Sequence, residues 1–386
     1  MQKNWKKWLL SIVLCFTIVL LAACGAGGES KNETIKVGAV FSLTGANSPL
    51  GVPEKQAVEL LVKQINESGG INGKKLEVII EDDKSDNTEA VKAIKKLVTK
   101  DKVIAVLGSS GTGPSLGMAK YAEAQKIPMI SMAAAHDLTT PVRKGIFKTP
   151  HTDIHATKLM YKFLQQKGIK KIAALHDSNP YGSSFMQQLE KFAPEYGLTI
   201  VAKEKYGTKD QSMSSQLTKI KNSDAQAIII AGTNPGPATI VKEAKQLGIT
   251  IPLVSSHGSA NLQFLQLAGK DAEGVFMAAE KILAPEQIDA NDPQAEIVQK
   301  FVKDYEATYK QKPNGFAGYS YDGLNILVEA LKSIKGDVSK LSDAIEQVKY
   351  VGVTGEFHFS PQDHNGLTGE SMIMVEVKNG KFQLVK

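Results

Sequence analysis

Cysteine is close to absent from this chain. Of 386 residues two are cysteine, Cys15 and Cys24, and both lie in the first 24 positions. The chain beyond Cys24 therefore has no route to a disulfide or a thiolate metal site, and its stability rests on its core. Aromatic residues are scarce at 6%, and no dense Lys/Arg cluster is interleaved with them, which argues against a nucleic-acid partner. No H-E-x-x-H is present, and no metal is expected. No stretch after the N-terminus is apolar enough to span a bilayer. No cofactor is predicted.

The length is too great for one ordinary core and predicts two domains. Composition is that of a globular protein, with 42% hydrophobic and 22% charged residues. Net charge is +6, but Lys3, Lys6 and Lys7 supply half of it, leaving 43 basic against 40 acidic residues. "MQKNWKKW" reads as a positive n-region and "LLSIVLCFTIVLLAA" as the apolar core of an export signal. The tail "LLAAC" resembles the bacterial lipobox. That resemblance implies a signal peptide over 1–23, lipid on Cys24, a tether over 24–33, and export to the extracytoplasmic face of the membrane. An ordinary signal peptide or an uncleaved anchor is the alternative.

From Thr34 the chain alternates strand and helix. "IKVGAVFSL", "LEVIIEDD", "VIAVLG" and "IPMIS" read as strands. Val58, Leu61, Val62 and Ile65, then Ala90, Val91, Ile94, Leu97 and Val98, form helical stripes between them. The pattern restarts near His151 with "KKIAALHD", "LTIVAKEKY", "AQAIIIAG", "IPLVSS" and "EGVFMAAE" as strands. Strands that are apolar throughout, rather than alternating, suit parallel sheets covered by helices on both faces, an α/β fold. The C-terminal segment carries an Asn-Gly hairpin signal.

Within this pattern "LGSSGTGPS", Leu107 to Ser115, sits between a strand and a helix. Ligands of open α/β sheets bind beyond the carboxyl ends of strands. Here glycines allow close backbone approach, the helix start offers unpaired N–H groups, and Ser110 and Thr112 add hydroxyl donors. Such a loop suits an anion. It is not a nucleotide-binding G-x-x-x-x-G-K-[ST] loop, and G-x-G-x-x-G followed by an acid does not fit either.

"IKVGAVFSLTG", "INESGGINGKKLEVIIEDD", "GSSGTGPS", "IPMIS", "HDSNPYG" and "GEFHFSPQDHNG", in this order, resemble the solute-binding proteins of bacterial ABC importers. The branch is the leucine/isoleucine/valine-binding type, of periplasmic-binding-protein-like fold I. The resemblance implies two doubly wound parallel-sheet lobes joined by a three-crossover hinge. By order of elements, lobe 1 is expected over 34–151 with 281–353 and lobe 2 over 152–280 with 354–386. It further implies a monomer that closes on a small solute in the interlobe cleft and delivers it to an ABC permease. The expected solute is a branched-chain or other amino acid.

Carried over to this sequence, the resemblance gives Ser110, Gly111 and Thr112 the ligand's carboxylate. Ala133, Ala134 and Ala135, with His136 following, fall on the loop that contacts carboxylate and amine, without the family's threonine hydroxyl. Tyr181 matches a tyrosine that closes over the ligand. Leu50, with Pro53, lies in the loop that shapes the side-chain pocket, and Phe316, Tyr319 and Tyr321 are possible additions. Two places depart from the pattern. Thr233 and Asn234 stand where amino-acid binders often have tyrosine, and His257 stands where they have an acid pairing the ligand's ammonium. A buried ammonium needs a negative partner. Either Glu54, Glu280 or Asp322 supplies it, or the ligand is a carboxylic acid, aromatic or not, without an amine. Ser110, His176 and Asp177 could be drawn as a hydrolytic triad, but Ser110 is not the serine of a G-x-S-x-G elbow, and the chain is expected not to be an enzyme. A sensory module handing its signal to a membrane receptor would have the same cleft.

Overall fold

The computed structural model describes residues 34–385. The signal segment, Cys24 and the tether lie outside the described residues. Two open sheets organise the rest. The first has the order β2-β1-β3-β4-β5, from β1 (Ile35–Phe41), β2 (Leu76–Asp82), β3 (Val106–Gly108), β4 (Met129–Ser131) and β5 (Ile146–Lys148), all parallel. The second has the order β14-β13-β10-β9-β8-β6-β7. Its parallel part is β6 (Lys171–Asp177), β7 (Thr199–Tyr206), β8 (Ala227–Ala231), β9 (Leu253–Ser255) and β10 (Phe276–Glu280). The antiparallel pair β13 (Met372–Lys378) and β14 (Lys381–Leu384) completes it. These two turn at Asn379–Gly380 with φ of +52° and +68°, the left-handed geometry that an Asn-Gly pair tolerates.

Each sheet buries both faces. In the first, Val37, Ala39 and Phe41 of β1 face one layer with helices α1 (Ser48–Glu67) and α10 (Gly315–Ser333). Val40 faces the other, with α2 (Asn87–Lys96) and α3 (Thr112–Gln125). In the second, Ile228 and Ile230 of β8 pack on one side with α6 (Ser214–Lys221), α7 (Gly236–Gln246) and α8 (Leu262–Ala268). Ile229 packs on the other with α4 (Asp153–Gln166) and α5 (Pro180–Phe192). Burying each such aliphatic side chain is worth about 1.5–3 kcal/mol, which is why central strands read as unbroken apolar runs. Helix α9 (Ala295–Tyr309) packs on α1 through Val298, Phe301 and Tyr305. Among the described residues no helix is long and apolar enough to cross a membrane.

The chain passes from the first lobe to the second after β5, returns after β10, and crosses a third time before β13. The third passage falls later than the 353/354 boundary expected from sequence. The strand β12 (Glu356–His358) pairs antiparallel with β11 (Lys349–Val351), and Phe357, Phe359 and Leu367 lie in the first lobe's core. Three aromatic or aliphatic side chains in that core hold the segment there until Met372 joins the second sheet.

One close approach fixes the start of α1. A Cβ placed on Gly51 would lie 2.2 Å from the carbonyl oxygen of Ser42, at the end of β1. No side chain fits there, so the helix lies directly on strand-end backbone. Gly51→Ala is expected to destabilise the protein by about 1–3 kcal/mol through overpacking. Urea unfolding would show a lower midpoint at unchanged slope, and an unmoved midpoint would contradict the packing described.

Candidate functional site

In both sheets the strand order reverses at one point, between β1 and β3 and between β6 and β8. Such switch points open a crevice at the carboxyl ends of the strands. A cavity of about 270 Å³ occupies that place. The first lobe lines it with Ala46, Asn47 and Leu50 after β1, Ser85 and Asn87 after β2, Ser110–Pro114 after β3 and Met132–Ala134 after β4. The second lobe contributes Asn179–Tyr181 after β6, Thr208 and Lys209 after β7, Thr233 after β8 and His257 and Gly258 after β9. Phe316 and Tyr319 of α10 close the wall.

Helix α3 begins in this wall. Its N-cap is Gly111, which makes no side-chain cap, and proline at position 114 removes one of the first-turn donors. The N–H groups of Thr112 and Gly113 are left without helical partners and carry the positive end of the helix dipole. By contrast α5, across the cavity, is capped: Asn179 Oδ1 accepts from Gly182 N at 2.8 Å. Ser110 Oγ accepts from Ser42 N at 3.1 Å and is hydrogen-bonded to the Glu54 carboxyl.

Loop 133–136 is shaped from beneath by a fully buried lysine. Lys148 Nζ donates to the carbonyls of Ala134 at 2.5 Å and Ala135 at 3.1 Å. Burial pulls its ammonium down to about 8, with Asp153 opposing. On the far wall, Tyr181 is 6% exposed, and its hydroxyl accepts from Gly258 N at 3.3 Å. His257 stands edge-on to it with ring centroids 5.9 Å apart. Both His257 ring nitrogens lack a hydrogen-bond partner within the protein. Burial drives its pKa down to about 4, against the pull of Glu280, so the ring is neutral near pH 7. A neutral imidazole offers one donor and one acceptor to the cavity.

Eleven sequence-predicted residues are thus brought together: Leu50, Ser110, Gly111, Thr112, Ala133, Ala134, Tyr181, Thr233, His257, Phe316 and Tyr319. Three are not in the wall. Ala135 is buried with its carbonyl on Lys148. His136 opens a short 3-10 turn, its N–H donating to Asp153 Oδ1 at 3.2 Å. Asn234 donates to Ser259 O at 3.1 Å and Asn261 Oδ1 at 3.0 Å, bonds that tie two loops of the second lobe. Pro53 and Tyr321 also lie outside it, and Tyr321 packs on Phe301 at 4.4 Å. The triad drawn from Ser110, His176 and Asp177 is not assembled. His176 Nδ1 meets Asp177 O at 2.9 Å, and Asp177 accepts from Asn179 N and Thr208 Oγ1. Sequence reasoning missed Ser85, Asn87, Thr208 and Lys209, whose only signal is their place just past β2 and β7.

Among the described residues no carboxylate lines the cavity, and Lys209 is the one charged side chain that does. The chain's single arginine, Arg143, is elsewhere. Of the three acids considered as ammonium partners, Glu54 stands behind Ser110 and Glu280 behind Tyr319, whose hydroxyl it holds. Burial works against a charged Glu280, but His151, His257 and Tyr319 together hold its pKa below the usual value. Asp322 accepts from Val353 N at 2.9 Å and from Thr354 N at 2.8 Å and serves the loop before β12. Among the described residues no group of three His, Cys, Asp or Glu is placed to hold a metal.

Comparison with known proteins agrees with this architecture. A family model described as periplasmic binding protein matches residues 34–381, and the chain belongs to that family. The leucine-, isoleucine-, valine-, threonine- and alanine-binding protein of Pseudomonas aeruginosa is 26% identical over 333 residues, 85% of this chain and 86% of its own. An extracellular ligand-binding receptor from Rhodopseudomonas palustris superposes with a TM-score of 0.86 at 28% identity, covering 91% of this chain and 99% of that one. The branched-chain amino acid transporter substrate-binding protein of Streptococcus pneumoniae, solved with isoleucine, superposes at 0.82 with 27% identity, over 92% and 100%.

The buried neutral histidine has a stability signature. An unfolded His257 binds a proton near its ordinary 6.5, whereas the folded one resists until about 4. In that window the unfolded state holds more protons, so stability falls as pH drops from 6.5 toward 4 and is recovered as pH rises. His257→Gln is expected to flatten part of this acid-side slope in denaturation measured against pH. An unchanged slope would show that the ring is not held neutral.

Proposed function

We propose that this chain is the extracytoplasmic solute-binding component of an ABC importer and that its cleft takes a small solute by its carboxylate. The observation that carries this reading is the uncapped start of α3, with the Ser110 hydroxyl beside it, in a cavity walled by both lobes. Two backbone N–H groups, a hydroxyl and a helix dipole make an anion site without a fixed cation. Leu50, Met132, Pro114 and Phe316 give the rest of the wall an apolar character suited to a hydrocarbon body. The lobes close by bending at the three crossovers, and Tyr181 covers the solute. Lipid on Cys24 keeps the receptor at the membrane face, where it meets the permease as a monomer and releases the solute unchanged. The Pseudomonas relative is named for binding leucine, isoleucine, valine, threonine and alanine, and the Streptococcus protein is the substrate-binding protein of a branched-chain amino acid transporter.

On the strength of those relatives, a branched-chain or similar amino acid is the first solute class. A second reading has its own support: the cavity wall holds a neutral His257 and no acid to pair an ammonium. An uncompensated ammonium in such a place costs several kcal/mol. A carboxylic acid without an amine avoids that cost.

Leucine and 4-methylpentanoate differ by the amine alone and separate the two readings. Because only the folded form binds, a solute at about a hundred times its Kd adds about 2.7 kcal/mol to stability and raises Tm. A shift with leucine and not with 4-methylpentanoate or benzoate supports the amino acid. The reverse supports the amine-free acid. Stabilisation by neutral sugars, with none by any carboxylate, would contradict the proposal.

A further inference from the structure

Glu54 has no part in the cleft's lining, yet it is 0% exposed and touches the one hydroxyl that stands beside the α3 start. Its Oε2 is hydrogen-bonded to Ser110 Oγ, and its Oε1 has no partner. The titratable groups facing it are Asp83, just past β2, and Tyr319 of α10; neither is a cation. Burial first, and the charge of Asp83 after it, push the Glu54 carboxyl well above its usual range, with the Ser110 bond acting in the other direction.

Hydrogen-bond valence turns this geometry into a statement about the solute. A serine hydroxyl has one proton to donate and two lone pairs to fill. One lone pair of Ser110 is filled by Ser42 N–H at 3.1 Å. If Glu54 is a carboxylate, Ser110 must spend its only proton on Oε2, and it shows the cavity a lone pair backed by a buried negative charge. If Glu54 carries a proton, the bond reverses: the carboxyl fills the second lone pair and the serine proton is free.

We propose that Glu54 is a positioning residue for the solute, donating its carboxyl proton to Ser110 Oγ so that the Ser110 proton points into the cavity toward the solute's carboxylate. The inference rests on the reading of the cleft as a carboxylate site. It makes Ser110 a donor to anions only while Glu54 is neutral. Deprotonation of Glu54 turns the same hydroxyl away and places like charge behind it.

Two measurements test this, one with no solute present. Infrared difference spectroscopy between ligand-free wild type and Glu54→Gln near neutral pH should show the carbonyl stretch of a protonated carboxylic acid. Its absence overturns the proposal while leaving the carboxylate reading standing. Calorimetric titration with leucine, 4-methylpentanoate and benzoate then reads the effect on binding. Glu54→Gln keeps a donor to Ser110 and should stay within about threefold of wild type, whereas Glu54→Met should lose about tenfold, the worth of one hydrogen bond. In a Ser110→Ala background the two variants should bind alike. Glu54→Gln as damaging as Glu54→Met, or a Glu54→Met loss that persists without Ser110, overturns the proposal. If Glu54→Met does not fold, the pH profile decides. Wild type should lose affinity on the alkaline side as Glu54 ionises, and Glu54→Gln should not; identical profiles overturn it. If none of the three acids binds the folded wild type, the carboxylate reading falls and takes this inference with it.

Discussion

A parallel sheet ends all its strands at one edge, and this molecule turns two such edges toward a shared cavity. Each edge is also where the following helices begin, so it collects backbone N–H groups that the fold itself does not satisfy. Some of these are answered by a side chain, as where Asn179 caps α5 and Asn261 caps α8, while α1, α6 and α7 start without one. At Gly111 no side chain does so. The remaining features of the site, from the Gly51 contact that seats α1 to the lysine under the alanine loop, place other groups around that opening.

Lys209 apart, the electrostatics of the cleft are those of neutral donors. The single arginine is remote, the buried lysine spends its protons on carbonyls, and His257 is uncharged near pH 7. A hydrogen bond from such a donor to a carboxylate has one charged partner and contributes about 1.5–3 kcal/mol net. A site made of several modest donors holds an anion through geometry, and it loses that hold when the lobes separate and the donors are no longer convergent. This suits a protein that must give its solute up as readily as it takes it.

Much of the fold was legible because its physics is written locally. The unbroken runs around Val37–Phe41 and Ile228–Ile230 could only be strands covered on both faces, and Asn379–Gly380 could only be a tight turn. The strand Ile146–Lys148 was not legible, because its last residue is a lysine whose burial depends on carbonyls contributed by another loop. The third crossover was misplaced for a related reason: Phe357 and Phe359 choose the first lobe's core by tertiary contact, which no local pattern records. Within the site, glycine and hydroxyl clusters at strand ends pointed to Ser110–Thr112, which lie in the cavity wall. Asn234 shows the limit of that signal, since its amide NH2 is spent on Ser259 and Asn261. Nothing in the sequence joined Glu54 to Ser110, which are brought together only when α1 lies on the end of β1.

The most direct test of the account is a crystal structure of the protein with a stabilising solute bound. The account predicts the solute's carboxylate within hydrogen-bond distance of Thr112 N, Gly113 N and Ser110 Oγ, with Tyr181 over its body. An acid group held elsewhere, with the start of α3 facing water or apolar atoms of the solute, would contradict it.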